Sequence, residues 1–302
     1  MYHGIINIYK EAGYTSFDVV AKLRGILHQK KIGHTGTLDP DAEGVLPVCL
    51  GNGTKLVEDL TEKTKVYECV MKLGVETDTE DMSGSVLSSK PVTSSEGEIR
   101  EACLSFIGDY DQIPPMYSAI KVNGRKLYEL ARNGEEIERK ARAVRIIDLE
   151  VTGICIDEVT MTVTCSRGTY IRSLCRDIGR KLGCGGAMAH LLRTRSGEFS
   201  MDTSHKLSEV EAMSKAGNVD DIIIPIEHFY SKYPCAHVKS AAKKLIDNGN
   251  PLALSDVEEG DAFAEVHPDR IRVFNAEGRF AGVYSYDQIK GKFMPDKMFQ
   301  AD

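Results

Sequence analysis

The run TSFDVVAKLRGILHQK places Phe17, Val20, Leu23 and Ile26 or Leu27 three to four residues apart, which predicts an amphipathic helix capped by Ser16 and ending in lysines. Further on, KVYECVMKLGVETDT alternates Tyr67, Cys69, Met71 and Leu73 with Glu68 and Lys72, the pattern of a strand with one buried face. EIREACLSFIG spaces Ile99, Cys103 and Phe106 as a helix does. The stretch from Ala143 to Gly183 predicts two strands, a turn at Arg167-Gly168, and a helix with Ile171, Leu174, Cys175 and Ile178 inward and Gly183 as its stop. Residues 201–235 read as helix and loop. From about Tyr233 the pattern changes to a helix in VKSAAKKLIDNG, then short strands in DAFAEV, RIRVFN and RFAGVYS, a separate β-rich unit of about 70 residues. Strands and helices mixed in this order predict an α+β fold around a central sheet.

Composition narrows the class. The chain has 302 residues, 42% of them apolar and 27% charged, which is ordinary for a globular protein. Its longest apolar runs, DIIIPIEH and EGVLPVCLG, fall far below the roughly 20 residues of a membrane helix. MYHGIINIYKEAGYTS lacks a basic-then-apolar leader pattern, so a soluble, cytoplasmic protein is expected. The eight cysteines are scattered, with no pair at zinc-ligand spacing, and no His-x-x-x-His occurs. Reduced buried thiols and no metal site are expected.

Charge changes the picture. The net charge of −7 argues against a nucleic-acid partner only until it is resolved along the chain. Residues 22–36 carry Lys22, Arg24, Lys30 and Lys31 with no acid. Residues 163–195 carry seven Arg or Lys against Asp177 alone, whereas 205–265 carry eleven acids against six lysines. An anionic substrate would be steered to the basic part.

Between the first helix and the alternating strand lies GHTGTLDPDAEGVLPVCLG, with four glycines, two prolines, Asp39 and Asp41. Such a loop holds a carboxylate rigidly, and three chemistries suit it. A phosphate cradle is disfavoured, because the Gly-Lys-Ser/Thr order is missing from GNGTK. A divalent metal on Asp39 and Asp41 is the second, and a single catalytic carboxylate kept ionised by a nearby cation is the third. The acidic run ETDTEDMSG fails calcium-loop spacing and reads as a solvent-facing turn with Asp78 as its cap.

GHTGTLDPDAEGVLPV resembles the motif bearing the catalytic aspartate of the bacterial-type pseudouridine synthases that modify the T-loop uridine of tRNA at position 55, the TruB family. QIPPMYSAIKVNGRKLYELARNG, KVYECVMKLGVETDTEDMSG, CSRGTYIRSLCRDIG and GAMAHLLRTRSGEF resemble further segments of that family, in its order, over roughly residues 3–230.

The resemblance implies a pseudouridine synthase domain over 1–232, a mixed to antiparallel sheet with flanking helices, and a small PUA-like β-barrel over 233–302. It implies that uridine is flipped out of the T-loop and isomerised, with Asp39 as the essential carboxylate and no cofactor or metal. Arg172 would pair with Asp39, Tyr67 would stack on the base, and Tyr170 and Leu192 would line the pocket. His34 would wedge into the space left by the flipped base. Residues 112–145, with eight bases against four acids over 121–145, resemble the insertion that clasps the RNA. The implied partner is the tRNA T-arm stem-loop, met by a monomer with no membrane and no protein partner. Whether Asp39 attacks the sugar or removes a ribose proton stays open. Two other readings remain beside this one: an RNA chaperone that folds tRNA without chemistry, and a metal-dependent nucleotide enzyme.

Overall fold

A computed structural model describes residues 1–122 and 124–299. Strand β1 (Gly4–Lys10) is buried at nearly every position, polar Asn7 and Lys10 included, because both of its faces are covered. Ile6 and Ile8 pack beneath helix α1 (Ser16–Ile26), and Ile5 joins Val45 and Cys49 in a cluster on the other side. Each such fully buried side chain contributes about 1.5–3 kcal/mol.

Helix α1 differs from its expected form in two details. Thr15, not Ser16, is the cap, accepting from Asp18 N while the Asp18 carboxylate accepts from Thr15 N at 2.9 Å. Ser16 is thereby the first helical residue and turns inward, and Phe17 turns outward to 63% exposure beside the Arg24 guanidinium. Val19, Val20 and Leu23 form the buried face.

The first half of the chain continues with β2 (Ile32–His34), β3 (Glu43–Leu50), β4 (Lys65–Leu73), β5 (Val75–Thr77), β6 (Val86–Ser89) and β7 (Gly108–Gln112). After the short pair β8 (Lys121–Val122) and β9 (Arg125–Lys126) come β10 (Arg142–Cys155), β11 (Glu158–Cys165), β12 (Gly186–Ser196) and β13 (Phe199–Ser200). The described residues form a nine-stranded sheet in the order β1-β3-β12-β4-β11-β10-β7, with β2 on β3 and β13 on β12. Only the β3–β12 contact is parallel, so the sheet is mixed. Gly44 permits that contact: its φ is +105°, and a Cβ there would meet Arg193 O at 2.2 Å.

Helices α2 (Val57–Thr61), α3 (Glu96–Leu104), α4 (Leu127–Arg132), α5 (Ile171–Lys181) and α6 (Leu207–Ala216) complete this part. As the spacing predicts, Ile171, Leu174, Cys175 and Ile178 of α5 are buried with Tyr67, Cys69, Met71 and Leu73 of β4, and Gly183 ends the helix at φ +78°. The acidic run 76–84 departs from expectation. Asp78 is exposed and accepts from Ser85 N, but Glu80 is buried and Asp81 nearly so, because arginines of α5 draw both inward.

The C-terminal part is a curled, half-barrel sheet of the PUA-like kind. It is built from β14 (Cys235–His237), β15 (Leu252–Ala253), β16 (Arg270–Phe274), β17 (Phe280–Asp287) and β18 (Lys292–Met298), in the order β14-β16-β17-β18-β15. The helix expected over 238–249 contracts to a 3-10 turn and α7 (Lys243–Asp247), stopped by Gly249 at φ +62°. DAFAEV, expected as a strand, is helix α8 (Gly260–Val266): Gly260 sits where a Cβ would meet Leu254 O at 1.9 Å, and Phe263 supplies the buried contact. The end of the last strand returns to the turn and helix α2 that follow β3. Lys55 Nζ donates to Met298 O at 2.7 Å, Lys297 Nζ lies 2.7 Å from Asp59, and Phe280 and Phe299 pack into the cluster of Ile5, Leu56 and Ile226. Among the described residues no helix is long and apolar enough to cross a membrane.

Candidate active site

Residues 35–42 run between β2 and β3 and are fixed through their backbone, because buried carbonyls require donors. Lys10, fully buried at the end of β1, donates to Pro40 O at 2.9 Å and Ala42 O at 2.6 Å. Burial pushes its ammonium down to about 8, against the pull of Asp39 and Glu43. Ser16 at the start of α1 both accepts from Leu38 N and donates to Leu38 O. Arg193 of β12, also buried, donates to Val45 O and Gly36 O. Held at so many points, the loop has one course, and Asp39 leaves it with its side chain about one-third exposed, at 36%.

Arg172, the second residue of α5, meets that carboxylate from below. Its Nη2 donates to Oδ1 at 3.1 Å and its Nε lies 2.9 Å from Oδ2, a two-point charged contact. The same guanidinium donates to Thr79 O at 3.0 Å and Tyr117 O at 2.8 Å, and stands 3.6 Å from Asp81. Burial raises the Asp39 carboxyl above the usual aspartate range; Arg172 opposes this and Asp81 reinforces it. Asp41 is solvent-exposed while Asp39 is engaged by Arg172. Among the described residues no cluster of three His, Cys, Asp or Glu is placed to hold a metal.

Tyr67 of β4 lies buried in the same core cluster as Leu38 and Ala42, opposite Arg193 in the β4–β12 register. Burial raises its phenol and the Arg193 guanidinium beside it opposes. Tyr170 immediately precedes α5, with its backbone N–H and C=O both bonded to the Gln112 amide at 2.7 and 3.0 Å. Burial raises its phenol too, with Ser118 and Arg172 opposing, and Asp39 acts electrostatically on both tyrosines. His34 and Leu192 stand at the loop's two ends. His34 closes β2 and its Nδ1 accepts from Gly36 N at 3.3 Å; burial and Arg193 lower its pKa, which favours the neutral ring. Leu192, half-buried, lies opposite Glu43 at the start of β3.

Lys10, Ser16, Glu80, Asp81 and Arg193 hold this site and escaped the reading of the sequence. A lysine ending a strand or an arginine within one is ordinarily a surface residue, and neither pattern announces a carbonyl to be satisfied 30 residues away, for Lys10, or 148, for Arg193. Asp81 did carry a signal, the acidic run itself, but its partner lies on a helix ninety positions later.

The chain matches the TruB family pseudouridylate synthase N-terminal domain over residues 24–171 and the tRNA pseudouridylate synthase B C-terminal domain over residues 172–230. It is 51% identical to the tRNA pseudouridine synthase B of Lachnoclostridium phytofermentans, the match covering 98% of this chain and 99% of that one. It is 41% identical to the protein of the same name from Bacillus subtilis, with 99% and 98% covered. Among solved structures it resembles a chain of a Cbf5-Nop10-Gar1 complex, with a TM-score of 0.69 and 27% identity over 99% of this chain and 85% of that one. A chain of an H/ACA RNP bound to a substrate RNA containing 2'-deoxyuridine gives 0.68 and 25%, over 99% and 86%.

Proposed function

The chain belongs to the TruB family of pseudouridylate synthases, and from that premise we propose that it isomerises the T-loop uridine of tRNA, position 55, with Asp39 as its single essential carboxylate. Its relatives are named for tRNA, and the observation that carries the finer reading is the two-point contact of buried Arg172 with Asp39. In pseudouridine formation the bond from uridine N1 to the ribose breaks and a bond to C5 forms within the same site, so a carboxylate must act while water is kept out. Arg172 opposes the rise in the Asp39 pKa that burial imposes, and its contact with both oxygens fixes the plane of the carboxylate.

A uridine within a folded loop reaches Asp39 only by being flipped. Tyr67 then stacks on the base, with its hydroxyl near the departing C5 proton. Tyr170 and Leu192 line the pocket, and His34, neutral and oriented by Gly36, fills the vacated stack. The basic segment 112–145 closes on the RNA loop, and the division of the chain at 232/233 separates this machinery from an RNA-binding C-terminal domain. The protein acts as a monomer in the cytoplasm, without metal or cofactor.

The test is carbodiimide-based pseudouridine mapping of an unmodified tRNA transcript, in EDTA, with wild type and with Asp39→Asn. A new signal at the T-loop uridine with wild type alone is expected, with the variant's RNA affinity within about tenfold, since binding rests on many phosphate and stacking contacts. Turnover by Asp39→Asn would overturn the role of Asp39. Binding without turnover by wild type would favour the chaperone reading.

A further inference from the structure

Two arginines one turn apart on α5 make the same kind of bridge. Arg172 donates to Thr79 O and Tyr117 O; Arg176 pairs with the Glu80 carboxylate and donates to Ile113 O at 3.1 Å. Each joins the 79–81 turn to residues 113–117, where the basic segment begins.

Glu80 is the common point. Its side chain is buried, and one oxygen meets Arg176 while the other accepts from Ser173 Oγ at 2.6 Å. Arg139, at the far end of the basic segment, comes to 4.0 Å from the same carboxylate and donates to Pro114 O at 3.0 Å. Both feet of the 112–145 segment therefore converge on one acid. The backbone of Glu80 is also unusual: φ is +64°, a left-handed conformation that a glutamate adopts only when its contacts hold it there. On either side stand Thr79 and Asp81, the two residues that face Arg172 Nη1. The chemistry assigned to Asp39 makes no use of Glu80 or Arg139.

We propose that Glu80 is a positioning residue, clamping both feet of the 112–145 segment onto α5 and so setting Arg172 against Asp39; the catalytic half of this rests on the function proposed above. Glutamine in its place keeps the size and loses the charge that Arg176 and Arg139 share. Arg139→Met removes the outer contact and leaves the buried Glu80–Arg176 pair intact, so it stands as a second probe should Glu80→Gln fold poorly.

Hydrogen–deuterium exchange of the RNA-free, full-length protein should show at least fivefold faster exchange over residues 113–139 in both variants, and wild-type exchange there in Asp39→Asn. Single-turnover rates on the T-arm stem-loop at saturating RNA should fall at least tenfold in Glu80→Gln and several-fold in Arg139→Met. A segment merely loosened would raise the KM and leave that rate alone. Unchanged exchange in both variants, or saturating rates within twofold of wild type in both, overturns the proposal. Should wild type itself prove inactive on this RNA, the proposed function fails, and the exchange alone decides whether Glu80 clamps the segment.

Discussion

A guanidinium offers five N–H donors in one plane, and Arg172 uses that geometry to meet Asp39, Thr79 and Tyr117 together. An ammonium cannot. Arg172→Lys should therefore lower the single-turnover rate by about 100-fold or more at saturating RNA, measured by release of tritium from C5-labelled uridine, since the lost contacts orient the carboxylate proposed to act. The electrostatics of the pair also fix a sign. Burial, with Asp81 adding to it, raises the Asp39 pKa, so a reaction that needs ionised Asp39 loses rate as pH falls through a value above the ordinary 3.9 or so of aspartate. Asp81→Asn removes an anion that disfavours ionisation of Asp39, and the acid limb of its rate profile should move to lower pH than that of wild type. At this scale the sequence was informative about Asp39 and Arg172, which sit in motifs long enough to be distinctive. It was silent about Lys10 and Arg193, whose roles consist of backbone carbonyls that exist only once the loop is folded.

Elements whose apolar residues repeat at one clear period were the legible ones. The alternation in β4 and the spacing in α5 each named their buried faces, and both faces lie in one core. Phe17 misled because a helix of eleven residues can be rotated by one position when a polar residue, here Ser16, has a partner inside. DAFAEV misled because alternating small residues satisfy either period, and the packing of Gly260 against Leu254 decided for a helix. The parallel contact of β3 with β12 was not legible at all, since it joins strands more than a hundred residues apart through two residue pairs. It rests on Gly44. Gly44→Ala combines a left-handed backbone with a Cβ 2.2 Å from Arg193 O, and should cost about 2–4 kcal/mol in urea denaturation while reducing turnover more than RNA affinity, because β3 carries the end of the Asp39 loop.

For the molecule as a whole, pattern separated a mixed first part from a β-rich second one, and charge separated the basic stretches 22–36 and 163–195 from the acidic 205–265, but neither gave a hint of how closely the two parts are joined. Phe280 and Phe299 share a cluster with Ile5, Leu56 and Ile226, and Lys55, Asp59, Lys297 and Met298 are bonded across the boundary. A chain ended at residue 232, the proposed division, should bind a hydrophobic dye and melt at least about 5 °C below the full-length protein, since loss of a few kcal/mol moves the midpoint of a domain this size by that much. Retention of the full-length melting temperature would show the two parts to be independent. The same joint has a bearing on how the protein is made. Lys55 finds Met298 across 243 positions of sequence, so the apolar surface around Ile5 and Leu56, covered in part by Phe199 and Ile226, is closed over by Phe280 and Phe299 only when nearly all the rest of the chain has left the ribosome. At about 5–20 residues per second that is an interval of some tens of seconds, long enough for a chaperone to act and for a prematurely terminated chain to be recognised by the surface it still displays.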